Sequence, residues 1–211
     1  DGDVLALSRG QFTAQGRKLR LTTLGGRRLE VLLPTYRMPE TKNASGYYAA
    51  DDMDAVDFLV GSDGTLGAIT ELTLELLPLP PVIWGVSCFF AREEQAVAFV
   101  RKAREQVAFL AALEYFDRGA LDILRREKEQ STAFAGLPRL PEPEKAGACV
   151  YAEFHCEAED EALEALYHLG RVLEEAGGSE EETWVARTPL DREQLQFFRH
   201  AVPESVNRWI D

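Results

Sequence analysis

Residues 77–81 read LPLPP, and the prolines Pro78, Pro80 and Pro81 constrain this 211-residue chain more than any other feature. A proline has no N–H for a ladder and a fixed φ, so neither strand nor helix runs through such a cluster, and the chain is stiffened there. The pattern on the two sides differs. Turn-rich β segments come before it and alternating strand and helix patterns come after. Two domains are expected, residues 1–80 and 81–211.

In the first part, KLRLTTLGGRRLEVLLP (residues 18–34) reads as two strands around Gly25 and Gly26. Residues 4–7 read as a short apolar strand. Asp1, Gly2 and Asp3 look like the turn of a hairpin whose first strand precedes the segment. Six basic residues (Arg9, Arg17, Lys18, Arg20, Arg27, Arg28) stand between Asp3 and Glu30 without an acid. They suit either a solvated hairpin edge or a docking surface for an anionic partner or for further protein of the parent chain. Residues 34–57 are irregular and end in the acidic DDMDAVD. GSDGTLG follows at residues 61–67. In residues 69–76, Thr70, Leu72, Leu74 and Leu76 alternate with Ile69, Glu71, Thr73 and Glu75. That is the period of a strand with one buried face.

In the second part, VIWGVSCFF (82–90), FLAALEYF (109–116), GACVYAEFHCEA (147–158) and ETWVAR (182–187) read as strands. Between and after them come helical patterns. One has Ala96, Phe99, Val100 and Ala103 on a face. A short one covers 118–126, with a loop over 127–147. A third has Leu163, Leu166, Leu169, Val172 and Leu173 on one side and stops at Gly177 and Gly178. A last helix starts with Thr188 as N-cap and Pro189 at its first position. Stripped of the 127–147 excursion this is β-α-β followed by β-α-β. That is the ferredoxin-like pattern: an antiparallel sheet with helices on one face.

The formal net charge of −13 argues against a general nucleic-acid-binding surface, because a polyanion would be repelled. No apolar run reaches the 18 residues a membrane span needs. Cys88, Cys149 and Cys156 lie in strand-like segments without C-x-x-C spacing. They read as buried thiols of a reducing, cytoplasmic setting, with contact to the inner face of a membrane no more than peripheral.

Three glycines in the seven residues of GSDGTLG permit positive φ and close approach of a ligand to the backbone. Successive free N–H groups there could hold an anion, and Ser62 and Thr65 could add hydroxyls. A tight structural turn explains the residues equally well. A strand is expected on either side, which differs from phosphate loops that open a helix. The wider stretch carries more. Lys42, Gly46 and Tyr47 precede Gly61, Ser62, Asp63, Gly64, Thr65, Leu66 and Gly67; then come Ile69, Thr70 and Glu71 and the proline exit. This order resembles the FAD-linked oxidase/dehydrogenase family of vanillyl-alcohol-oxidase-like flavoproteins. Its members include D-lactate, glycolate and D-2-hydroxyglutarate dehydrogenases and alkyl-dihydroxyacetone-phosphate synthases. The departure is Asp63, where the family usually has glutamate.

The resemblance implies an α+β chain. Residues 1–80 would be the second half of an antiparallel, β-rich PCMH-type FAD-binding domain, and 81–211 a ferredoxin-like cap incomplete at its C-terminus. FAD is the implied cofactor, lined by Lys42, Gly46, Tyr47, the seven loop residues, Ile69 and Thr70. The family's N-terminal FAD subdomain and its C-terminal histidine and acid motifs match nothing here. The chain therefore reads as an internal piece of an enzyme, expected by itself to be inactive and without bound FAD. The implied reaction is hydride transfer from a small 2-hydroxy acid to flavin, with an unassigned electron acceptor for which an iron–sulfur protein is one candidate. Two alternatives stand beside it: a non-catalytic interaction module, and a parent acting on another substrate, as the alkyl-dihydroxyacetone-phosphate synthases do.

FFRHAVPESVN resembles the family's helix with a W-x-x-R-E pattern, which places Arg199 at the arginine that clamps the substrate carboxylate. A guanidinium suits that role because it offers two parallel donors. A surface helix arginine accounts for the residue equally well. His200 replaces the usual acid and is a weaker candidate base. Pro203 stands where some members have a substrate-binding threonine. Glu114 matches a position often glutamate in the family, without an assigned role. His168 reads as a packed or surface histidine. His155 and Cys156, adjacent on a strand, point to opposite faces, so no metal site is assigned.

Overall fold

The computed structural model describes residues 2–42 and 46–210, and for residues 209 and 210 the backbone alone. Asp1, at the start of the expected N-terminal turn, and residues 43–45, inside the Lys42–Tyr47 stretch, lie outside the described residues. The chain forms two compact units, Asp1–Leu76 and Leu77–Asp211.

The first unit is built on the antiparallel hairpin of β1 (Lys18–Thr22) and β2 (Arg28–Leu32), with Leu19 opposite Val31 and Leu21 opposite Leu29. Leu19 and Leu21 are buried with Leu33, Met53, Ala55 and Phe58. Gly26 has φ of +83°, which its place in the turn requires. Asp3 secures the β1–β2 turn: its carboxylate accepts from Thr23 Oγ1 at 2.6 Å and from the Gly25 N–H at 3.2 Å. Among the described residues, residues 4–7 belong to no ladder, although the Val4 carbonyl accepts from the Leu24 N–H at 2.8 Å and Leu5 and Leu7 pack on the core.

The acidic stretch before the glycine loop is not wholly irregular. Asp54 accepts from the Val56 N–H at 2.8 Å and caps a short helix, α1 (Ala55–Leu59). The same stretch answers the basic one. Arg9 pairs with Asp57 at 2.9 Å and Arg17 with Asp51 at 2.5 Å, while Lys18 and Arg20 share Glu30. Those four cations share three carboxylates within the unit, and the pairs lie at its surface.

The expected strand over 69–76 is also corrected. These residues belong to no ladder among the described residues, and Ile69, Leu72, Leu74 and Leu76 are 63% to 83% exposed. Alternation supplies two faces, but a strand exists only through a hydrogen-bonded neighbour, and none of the described residues provides one here.

The second unit is a four-stranded antiparallel sheet, β3 (Val82–Phe90), β4 (Leu110–Phe116), β5 (Ala148–Cys156) and β6 (Trp184–Ala186), in the order β4-β5-β3-β6. The helices are α2 (Glu93–Gln106), α3 (Arg118–Gln130), α4 (Glu159–Glu175) and α5 (Pro189–Ile210). The strand order and antiparallel pairing are those of the ferredoxin-like pattern.

The helices lie on both faces of the sheet, not on one. Trp84, Val86, Cys88 and Phe90 of β3 are buried with Phe99 of α2 and Leu169 and Leu173 of α4. Phe89, Cys149 and Tyr151, on the other face, are buried with Leu121 and Leu124 of α3 and Leu195 and Phe198 of α5. β3 and β5 are apolar on both faces because both are covered, which is why they read as continuous runs rather than alternating ones.

Local signals set most helix ends. Thr188 and Asp191 form a reciprocal cap, with the Asp191 N–H donating to Thr188 Oγ1 at 3.2 Å and the Thr188 N–H to Asp191 Oδ2 at 3.1 Å. Gly177, with φ of +79°, and Gly178 close α4 by donating to the Glu174 and Leu173 carbonyls. Two details differ from expectation. α3 runs four residues further, to Gln130, and Leu163 is half-exposed while Ala162 and Ala165 take the buried positions of α4.

The three thiols are buried in the sheet. Burial pushes Cys88 up to about 12, slightly offset by a Thr183 hydrogen bond, and pushes Cys149 well above the usual thiol range. Since the thiolate is the nucleophile, the native chain should resist iodoacetamide near pH 8 and all three thiols should react after denaturation. Rapid labelling of Cys88 or Cys149 in the native state would contradict this burial. A raised thiol pKa also fixes the sign of the pH effect. The contribution to stability is complete below about 8.5, the free-thiol value, and is lost as pH rises through the folded value.

Candidate functional site

In the first unit, GSDGTLG follows a helix rather than a strand. The Val60 N–H closes α1 on the Val56 carbonyl, and Gly61 turns the chain with φ of +76°. Asp63 and Gly64 have φ of +50° and +75°, so both central residues of the turn are left-handed, as in primed turns. Aspartate tolerates this conformation and glycine adopts it freely. The turn closes when the Thr65 N–H donates to the Ser62 carbonyl at 2.9 Å and Thr65 Oγ1 to the same oxygen at 2.5 Å. Ser62 is buried, while Asp63, Gly64 and Gly67 are exposed.

The Gly46-Tyr47 segment meets this loop. Tyr47 hydroxyl lies 2.8 Å from Thr65 Oγ1, and its ring packs 5.6 Å from that of Phe58. Tyr36 hydroxyl donates to the Tyr47 carbonyl. A Cβ at Gly46 would lie 3.1 Å from that hydroxyl, and φ there is +73°. Lys42, Leu66, Ile69 and Thr70 are exposed along the adjoining chain. The residues therefore fit a phosphate- or ribose-bearing cofactor in one respect. The Asp63 and Gly64 N–H groups, at the exposed tip, make no backbone hydrogen bond among the described residues.

In the second unit, the sheet face under α5 carries a polar cluster. Arg199 of α5 pairs through Nη2 with Glu114 Oε1 of β4, and its guanidinium stands 5.8 Å from the centre of the Tyr151 ring on β5. Glu114 and Tyr151 are register partners on neighbouring strands, so the arginine spans two strands. Tyr151 hydroxyl donates to Glu153 Oε2 at 2.5 Å, and His155 Nε2 lies 2.8 Å from Glu153 Oε1. Residues 151, 153 and 155 share one face because a strand repeats every two residues.

Gly85 makes the cluster possible. A Cβ there would come within 3.1 Å of the Tyr151 hydroxyl and 3.4 Å of Leu195 Cδ1. Burial, reinforced by the Glu153 hydrogen bond and charge, pushes the Tyr151 phenol well above its usual range. Burial also pushes Glu153 up, but hydrogen bonds from Tyr151 and His155, with the charges of His155 and Arg199, outweigh it. The carboxyl is held below the usual carboxylate range.

Arg199 and Glu114 are each about one third exposed, at 32% and 34%. Arg199 is thus fixed at one terminal nitrogen and over one ring, with Glu114 as its one ion pair among the described residues. A guanidinium held this way keeps further N–H donors for an incoming carboxylate. Tyr151 and Glu153 were missed in the sequence, where they lie within an apolar strand, and their exposure to a common helix is visible only once the sheet is formed.

The other candidates fall elsewhere. His200 is exposed on α5. His168 is 44% exposed, near Glu164 and the Tyr167 ring. Cys156 is buried on the sheet face opposite His155. Pro203 lies inside α5, so it offers no N–H to the Arg199 carbonyl four residues earlier. Among the described residues, no helix is long and apolar enough to cross a membrane.

Residues 79–209 match the family described as FAD linked oxidases, C-terminal domain. A D-lactate dehydrogenase of Anaerostipes hadrus is 26% identical over 185 residues, an overlap covering 85% of this chain. The chain spans 36% of that relative's length. The family match covers the whole β-α-β, β-α-β unit, including Glu114, Tyr151, Glu153 and Arg199, and the chain belongs to the FAD-linked oxidases.

Proposed function

We propose that the full-length protein is an FAD-dependent oxidoreductase that oxidises a small 2-hydroxy acid, with Arg199 binding the substrate carboxylate. The observation that carries this reading is Arg199 itself, held by Glu114 and Tyr151 and still partly open to solvent. The arginine would orient the acid, and the apolar α5 face around Leu195 and Phe198 would exclude water from one side. FAD, when bound, supplies the acceptor for the hydride. The residues suited to hold it are Gly46 and Tyr47, with Lys42 beside them, the loop from Gly61 to Gly67, and Ile69 and Thr70. Backbone N–H groups of Asp63 and Gly64 would take an anionic part of the cofactor.

The test uses the full-length protein. It should purify with a flavin absorbance band, and anaerobic mixing with lactate, glycolate or another 2-hydroxy acid should bleach that band in one turnover. A flavin-loaded protein that no 2-hydroxy acid bleaches would exclude this substrate class.

A further inference from the structure

The charges around Arg199 bear on which hydroxy acids the site takes. Two carboxylates face the region, Glu114 from β4 and Glu153 from β5, and their side chains are 34% and 15% exposed. Glu153 is held ionised by its hydrogen bonds and by the nearby Arg199. Among the described residues, the permanent cation that acts on these two carboxylates is Arg199. His155, bonded to Glu153, adds positive charge only when protonated. With a neutral imidazole the cluster carries a net charge of about −1 before any ligand arrives, counting one guanidinium against two carboxylates.

A monocarboxylate would be compensated by the free donors of Arg199. A second carboxylate, two or three carbons along the same molecule, would enter the field of Glu114 and Glu153, on which Arg199 is the permanent cation acting among the described residues. Like charges at such range repel, and repulsion grows where the groups are half-buried.

We propose that Glu114 and Glu153 select substrate by charge, so that the Arg199 site takes 2-hydroxy acids with one carboxylate and disfavours hydroxy dicarboxylates. This rests on the reading that Arg199 binds the substrate carboxylate. Glu114 and Glu153 act here as specificity determinants and not as groups that react.

The test compares kcat/KM of the full-length flavin-loaded protein for lactate and 2-hydroxybutyrate with that for malate and 2-hydroxyglutarate. Wild type should prefer the monocarboxylates. Glu114→Gln and Glu153→Gln keep the shape of the side chain and remove its charge. Each should lower the monocarboxylate-to-dicarboxylate ratio by roughly three- to tenfold at low ionic strength, and by less in high salt. A purely structural role would lower kcat/KM for both substrate classes alike and leave the ratio unmoved.

An unchanged ratio in both variants, or a wild-type preference for dicarboxylates, overturns the proposal. Glu114→Gln keeps the test valid if the more buried Glu153 variant fails to fold. Arg199→Lys separates the two levels. If it weakens every 2-hydroxy acid while the glutamine variants leave the ratio unmoved, only charge selection fails. If it leaves all kinetics unchanged, the carboxylate site itself is wrong.

Discussion

Arg199→Lys in the full-length protein should lower kcat/KM for 2-hydroxy acids by about two orders of magnitude. A lysine keeps the charge and can still reach Glu114, so the loss would come from geometry. The ammonium has no second edge for a carboxylate and no planar face to lie over Tyr151. KM should rise because ground-state binding weakens, and kcat should fall where the acid is no longer oriented. The fold should barely respond. An ion pair one third exposed contributes no more than about 1 kcal/mol, so the melting temperature should move by a few degrees at most. A large drop in melting temperature would show that Arg199 is chiefly structural.

Gly147→Ala should cost about 3 kcal/mol of stability. A Cβ at Gly147 would lie 2.3 Å from the Ala91 carbonyl oxygen and 2.8 Å from Arg118 Nη2. The Arg118 side chain can swing away, but the carbonyl belongs to the backbone. The Gly147 N–H also donates to the Phe90 carbonyl at 2.8 Å, which ties the start of β5 to the end of β3. Relief would therefore mean separating two central strands. Gly136→Ala is the matched control: its Cβ would meet only Phe197 Cε1, at 3.9 Å, and the change should stay within about 0.5 kcal/mol. Urea midpoints of the 1–211 chain would measure both, and equal midpoints would refute the close approach at Gly147.

Much of the second unit could be read from the chain because its signals are local. Thr188 and Pro189 start α5, Gly177 and Gly178 end α4, and the runs of β3 and β5 identify the central strands. The second helical layer could not be read with the same rule. A residue such as Phe89 is apolar whichever helix covers it, and only the paths of α3 and α5 decide that both faces are buried. The strand expected over 69–76 failed for a related reason. Its alternation is real, but a ladder is a property of two segments and not of one.

The candidate site divides along the same line. Residue types and order in Lys42, Gly46, Tyr47 and the 61–67 loop pointed to a family and a cofactor, since positive φ at Gly61 and Gly64 is a local demand. Arg199 was also marked by its neighbours in the chain. What surrounds it was not, because Glu114 lies 85 positions earlier and Tyr151 belongs to a third segment. Periodicity specifies which residues can share a face of one element, within a few residues of each other. Only the strand order β4-β5-β3-β6 and the crossing of α5 over it bring a guanidinium, two carboxylates and a phenol to one place.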